Sequence, residues 1–259
     1  MRKSTVWSTS VALSSLWWML AARTRPWSSA LLALHIPVLA WGIASLKSGF
    51  FGTALVYAPH AATSLSLTFD DGPDPALTPQ VLAILQECGF KGTFFLVGEK
   101  ARKHPGLVHS ILAGGHTVAC HDLHHRWYSN LRRAQTMRKE VSLALEYIGD
   151  ACGKTPRLYR PPVGLANPHL FPVLRALGLT CVGWSHQPGD RGNRSLRGIG
   201  SIANLAGPGR IILLHDSLPV PRYRDTILGE LRGLCGAART AGLSAVTVDT
   251  LFGIDPYAD

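Results

Sequence analysis

The chain has 259 residues, 46% of them hydrophobic and 16% charged, enough apolar chain to bury the core of one large α/β domain and too much to stay disordered. Its formal charge of +10 is uneven: residues 1–63 hold Arg2, Lys3, Arg23, Arg25 and Lys47 and no acid, leaving 21 basic against 16 acidic residues in the remainder, an excess of five. So mild and diffuse an excess argues against a nucleic-acid partner, and the densest basic group, Arg132, Arg133, Arg138 and Lys139, is expected on a solvated helix face.

Residues 4–22 and 26–46 carry no charge and are separated only by the patch Arg23–Arg25. The second segment has the ~20-residue length that spans a hydrocarbon core. The first is as long but rich in hydroxyls, and His35 and Pro37 weaken the second. Residues 1–63 are therefore expected to anchor the chain to a membrane. With one span over 26–46, four basic residues precede the span and only Lys47 soon follows, which places the rest of the chain outside the cytoplasm. A two-span hairpin would return it inside, and a cleaved signal peptide lacks a convincing small-x-small site.

From residue 64 the chain alternates β-like runs with amphipathic stretches. The runs are SLSLTF, GTFFLV, HTVAC, RLYR, TCVGWS, RIILLH and SAVTV. Helix-like segments include LTPQVLAILQEC, MRKEVSLALEYIGDAC and DTILGELRGLCGAARTAG. Seven strands with helices between them predict a parallel sheet, closed into a (β/α) barrel, in a single domain over 64–259. Five cysteines (Cys88, Cys120, Cys152, Cys181, Cys235) without CxxC spacing give neither a disulfide framework nor a zinc-thiolate site.

Chemistry in such sheets collects at the carboxyl ends of the strands. The first run ends on Asp70 and Asp71, followed by Gly72 and Pro73. Taken alone, this is ordinary turn chemistry. HTVAC is followed by His121 and, four residues on, His125, a spacing that can face one ion. A carboxylate and two histidines form a three-ligand set that leaves coordination open. His124 is read as a neighbour of the pair. RLYR closes on Arg160, able to orient a carboxylate by bidentate bonding. TCVGWS leads through His186 to Asp190, and RIILLH ends on His215 followed by Asp216.

TFDDGP (68–73), H-x-x-x-H (121–125), RPPVG (160–164), the segment to Asp190 and LLHD (213–216), with GTFFLVGE between the first two, run in one order. The set resembles the NodB-type polysaccharide deacetylases, the family 4 carbohydrate esterases, over residues 64 to 252. The resemblance implies a distorted (β/α) barrel of about seven strands. It implies a divalent metal, zinc first and cobalt, nickel, manganese or iron after it, held by Asp71, His121 and His125. Asp70 would be the general base toward water, oriented by Arg160. A backbone N–H near Val163 would face the oxyanion, Leu213 the acetyl methyl. His215 would protonate the leaving amine, supported by Asp190. The sequence departs from the family pattern at Val163, where an aromatic residue is common, at Gln187 and at Arg191. The expected substrate is an N-acetylated amino sugar in a polysaccharide or a lipid-linked saccharide. An acetyl esterase or deformylase on the same site, a two-histidine, one-carboxylate iron oxygenase and an inactive glycan-binding barrel are the alternatives.

Overall fold

The computed structural model describes residues 26–126, 128–196 and 199–258, the side chains of 26–34, 130 and 199–201 excepted. The expected segment 4–22 lies outside the described residues. Within the second segment a helix forms over Pro26–Ala44. Its described side chains begin at His35, and among the described residues no helix is long and apolar enough to cross a membrane.

All seven β-like runs become strands of one sheet, each shorter than its run or close to it. They are β1 (Ser64–Asp70), β2 (Gly92–Leu96), β3 (Thr117–Cys120), β5 (Leu158–Tyr159), β6 (Thr180–Cys181), β7 (Ile211–His215) and β8 (Ser244–Ala245). A short antiparallel pair, β4 (Thr155–Pro156) with β9 (Tyr257–Ala258), was not expected. The order is β6-β5-β3-β2-β1-β7, every pairing parallel, and β1 changes partner along its length: Ser64 and Leu65 pair with β8, Ser66–Asp70 with β7. The chain leaving β6 crosses to the far edge, where His186 bridges Ile212 and the Leu213 N–H donates to the His186 carbonyl at 2.9 Å. The sheet is thus curled toward a barrel, with its two edges linked by the His186–Ile212 bridge and by the segment around Leu55 and Tyr57, which bridges Val182 on one side and Arg210 on the other.

Strands β2 and β3 are buried along their whole length and β1 past its first residue, as a parallel sheet covered on both faces requires. Phe69 and Phe94 stack at 4.8 Å across β1 and β2. The covering helices follow the 3.6-residue pattern: Ala134–Cys152 buries Met137, Val141, Ala144, Leu145 and Ile148, and Arg224–Thr240 buries Ile227, Leu228, Leu231 and Leu234. Thr78–Cys88, which packs on the latter, has Pro79 in its first turn and stops at Gly89, whose left-handed φ of 69° a β-carbon would strain.

The basic group departs from the sequence expectation. Arg132 precedes its helix and turns inward, pairing with Asp122 at 3.0 Å and with Glu140. The nearby Asp122 carboxylate needs a cation because it is only 1% exposed. Arg133, Arg138 and Lys139 are exposed, as expected.

Candidate active site

Strand register assembles the site. Asp70 is the Cα partner of His215 across β1 and β7, and the Arg160 N–H donates to the Cys120 carbonyl at 3.0 Å, which brings Arg160 beside His121. The turn after β1 is pinned by the Lys100 ammonium on the Asp71 carbonyl, 2.6 Å, and by the Val97 N–H on the Gly72 carbonyl, 2.9 Å. A cleft of about 300 Å³ opens at these strand ends. Asp70, Asp71, His121, His125, Val163, Asp190, Leu213 and His215, eight of the nine residues expected in the site, line it.

The ninth, Arg160, lies behind the cleft wall with no exposure. Its Nη1 donates to Asp70 Oδ1 at 2.6 Å and to Thr68 Oγ1 at 2.8 Å, Nη2 to the Gly183 carbonyl at 2.8 Å and Nε to the Val182 carbonyl at 3.3 Å. The guanidinium also sits 4.0 Å over the Phe95 ring. A buried ion pair recovers its desolvation cost only when the remaining donors are filled, and here they are. Burial draws the Arg160 pKa down while the Asp70 charge opposes it.

Asp71, His121 and His125 converge so that one ligand atom from each lies within 4.8 Å of the others. His121 Nδ1 meets the Arg160 carbonyl at 2.8 Å. That carbonyl only accepts, so Nδ1 carries the hydrogen and Nε2 turns its lone pair to the cleft, the arrangement of a metal-binding imidazole. Asp71 Oδ1 is buried without a hydrogen-bond partner, although His125 Nε2 lies 3.1 Å and His121 Nε2 3.6 Å away. An unpaired buried acceptor facing imidazole nitrogens fits a cation between them. Burial pushes the Asp71 carboxyl up, but the charges of His125, His121, His215 and Lys100 outweigh it and the pKa falls. His124 sits 3.9 Å from Glu99, outside the cluster, as a neighbour.

Across the cleft His215 Nδ1 meets Asp190 Oδ2 at 3.0 Å. Burial pulls the His215 pKa down, yet the hydrogen bond and charge of Asp190, with Asp71 and Asp70 behind them, push it up to about 9. His186 bonds Ser185 at 3.0 Å and does not line the cleft.

Several functional residues escaped the sequence reading. Thr68 steadies Arg160. Trp184 packs so closely on Gly164 (φ 67°) that no β-carbon would fit there. Asn193 Nδ2 ties its turn to the His215 and Ser217 carbonyls at 2.9 and 2.8 Å. Among the described residues the non-glycine positions with positive φ are Asp71, Asp122, His125, Val163, Arg191 and Asn193. Four of them line the cleft, where backbone strain tends to be retained for function.

Fold and site together define a hydrolase centre: a candidate metal site flanked by a carboxylate and a histidine at the mouth of a parallel sheet. The comparisons with known proteins agree. The family model described as Polysaccharide deacetylase matches residues 58–182. A peptidoglycan-N-acetylglucosamine deacetylase of Bacillus cereus is 34% identical over 196 residues, covering 74% of this chain and 90% of that protein. A chitooligosaccharide deacetylase of Bradyrhizobium sp. is 36% identical over 164 residues, covering 62% of this chain and 74% of that protein. A solved family 4 carbohydrate esterase from Streptomyces lividans, in complex with acetate, superposes with a TM-score of 0.63 at 31% identity, covering 71% of this chain and 92% of that one. The chain belongs to the polysaccharide deacetylase family, the family 4 carbohydrate esterases.

Proposed function

We propose that this chain is a metal-dependent hydrolase that removes N-acetyl or related acyl groups from an amino sugar in a polysaccharide or a lipid-linked saccharide. The observation that carries the reading is the convergence of Asp71, His121 and His125 on one point, with Asp71 Oδ1 buried and unpaired, between Asp70 and His215. A divalent ion held there, zinc as first choice, supplies Lewis acidity to the acyl carbonyl and a lowered pKa to water. Asp70, fixed by Arg160, takes the proton from the attacking water. The Val163 N–H faces the developing oxyanion and Leu213 the acyl methyl. His215, whose pKa rises despite burial because of the Asp190 hydrogen bond and charge, gives its proton to the departing amine while Asp190 holds the ring. The relatives from Bacillus cereus and Bradyrhizobium sp. are named a peptidoglycan-N-acetylglucosamine deacetylase and a chitooligosaccharide deacetylase, which supports the substrate class.

An acetyl esterase or a deformylase would use the same groups. A two-histidine, one-carboxylate oxygenase would not need the Asp70 and His215 pair, and an inactive glycan-binding barrel would not keep it. Acetate release from N-acetylated oligosaccharides by the purified chain tests the reading. Its absence in the metal-loaded protein would sink it. Elemental analysis of the wild type and His121→Ala tests the centre: about one equivalent of metal is expected to be lost, on a three-ligand site.

We also propose that residues 1–63 hold the chain to a membrane, the inner one in a cell with two, with the domain over 64–259 outside the cytoplasm. The charge-free second segment and the exposure of Ile36, Val38, Trp41 and Ile43 on its helix support this.

A further inference from the structure

One wall of the catalytic cleft is not accounted for by hydrolysis. It is formed by the turn over 189–194, from which Arg191 and Arg194 both line the cleft. This turn is firmly built. Gly189, Arg191, Gly192 and Asn193 all have left-handed φ, between 55° and 75°. The backbone N–H groups of Arg194 and Ser195 donate to the Asp190 carbonyl at 3.1 and 3.0 Å, and the Asn193 amide and the Asp190 carboxylate tie the turn to the end of β7 and to His215. Gly192 takes a φ of 71° that a side chain would strain, and its missing β-carbon leaves room beside Arg194 Nη1 and Asp71 Oδ2. Arg194 is exposed on this turn, with its Nη1 beside Gly192 on the side of the cleft that carries Asp71.

Each carboxylate of the cleft faces a group other than these arginines. Asp70 faces Arg160, Asp190 faces His215, and Asp71 faces the two histidines. Neither Arg191 nor Arg194 has an ion-pair partner among the described residues, and the bond that Arg194 makes, from Nη1 to the Arg191 carbonyl at 3.4 Å, is long. Two guanidinium forks on a rigid turn, facing a sugar-sized cleft, are suited to a carboxylate or phosphate, which they bind with paired N–H donors.

We infer that Arg191 and Arg194 form an anion subsite, and that the saccharide acted on here carries a carboxylate or a phosphate on the sugar bearing the acyl group or on its neighbour. The inference rests on the deacetylase reading and narrows its substrate to anionic glycans.

Three probes test it on the full chain: neutral N,N′-diacetylchitobiose, a disaccharide of N-acetylglucosamine and N-acetylmuramic acid for the carboxylate, and N-acetylglucosamine 1-phosphate for the phosphate. Equilibrium binding to the metal-free protein at low salt is read first, since no turnover intervenes. At least one charged probe binds about tenfold more tightly than the neutral one, and this preference shrinks as salt is raised. The stronger charged probe identifies the source of the anion. The double variant Arg191→Gln/Arg194→Gln binds charged and neutral probes alike, whereas Arg191→Lys/Arg194→Lys keeps part of the preference. In the metal-loaded protein the same preference appears in KM. Equal binding of all three probes by the wild type, or a preference that survives in the glutamine variant, overturns the inference. A preference that is present and arginine-dependent, without acetate release from any probe, overturns the deacetylase reading and leaves the anion subsite standing.

Discussion

Asp70 and Asp71 are neighbours in sequence with opposite surroundings. The first has its oxygen held 2.6 Å from a buried guanidinium, and the second presents an unpaired oxygen to two imidazoles. Their substitutions should therefore separate. Asp70→Asn is nearly isosteric and leaves Asp71, His121 and His125 untouched, so elemental analysis should find the metal retained while turnover falls ~10²–10⁴-fold, the usual cost of a lost general base. Asp71→Asn should lose metal and activity together and regain part of both in excess metal. The opposite pattern would exchange the two roles. His215→Ala should keep its metal and hurt amides far more than activated esters, whose leaving groups need no proton. Equal losses on both would remove His215 as the acid.

At the scale of elements, the loop from β3 to the helix Ala134–Cys152 carries His125 and depends on a buried charge pair. Asp122 accepts from both Nη atoms of Arg132, at 3.1 and 3.0 Å, and from Ser129 Oγ at 2.9 Å. Arg132→Met strands that carboxylate and should cost about 3 kcal/mol in a urea melt. Adding Asp122→Asn should recover much of it, because the neutral amide tolerates burial; no recovery would mean that Arg132 acts through packing alone.

At the start of β2, His116 Nδ1 accepts the Gly92 N–H at 3.1 Å. Burial, with the Lys91 charge, depresses its pKa from 6.5 to about 4. A base depressed by folding contributes stability that is complete above pH 6.5 and is lost as the pH falls through about 4. At 1.36 kcal/mol per unit this is about 3 kcal/mol. His116→Gln, whose amide oxygen can take the same N–H without titrating, should flatten the slope of unfolding free energy between pH 6.5 and 4. An unchanged slope would assign the acid sensitivity to other groups.

These two sites differ in how far the sequence announces them. Runs such as SLSLTF and RIILLH are apolar enough to force burial, and polar groups at or just past their ends then fall at one end of the sheet, so Asp70, Asp71, His121, His125, Arg160, Asp190 and His215 were legible as strand-end groups, whereas Val163 and Leu213 followed only from the family resemblance. The pairing of Asp122 with Arg132 was not, because it crosses an irregular loop where neither period 2 nor period 3.6 applies. The turn presenting Arg191 and Arg194 was hidden similarly: its left-handed residues include an arginine and an asparagine, and only the glycines at 189 and 192 hint at it. The short pair β4 and β9 carries too few residues for any periodicity.

On the scale of the whole molecule, the helix Pro26–Ala44 joins the domain through its end. The Ala166 N–H donates to the Ile43 carbonyl at 2.9 Å, and Leu46 is buried in the core, so the helix is attached beside the active-site wall that holds Gly164. Along the helix, Ile36, Val38 and Trp41 remain 65%, 48% and 57% exposed. Such an apolar surface is costly in water and is expected to meet lipid. With Arg2, Lys3, Arg23 and Arg25 before it and only Lys47 soon after it, the proposed anchor, if it crosses the membrane once, would leave the basic end inside. A reporter fused after Asp259 that is active only once exported should then give signal, and the protein should sediment with membranes at high salt. Truncation of residues 1–45 should release the domain to the soluble fraction with its acetate-releasing activity intact. Signal confined to a cytoplasmic reporter would instead support a two-span hairpin, with the cleft facing saccharides on the inner side, and recovery of the intact chain in the soluble fraction would sink the anchor itself.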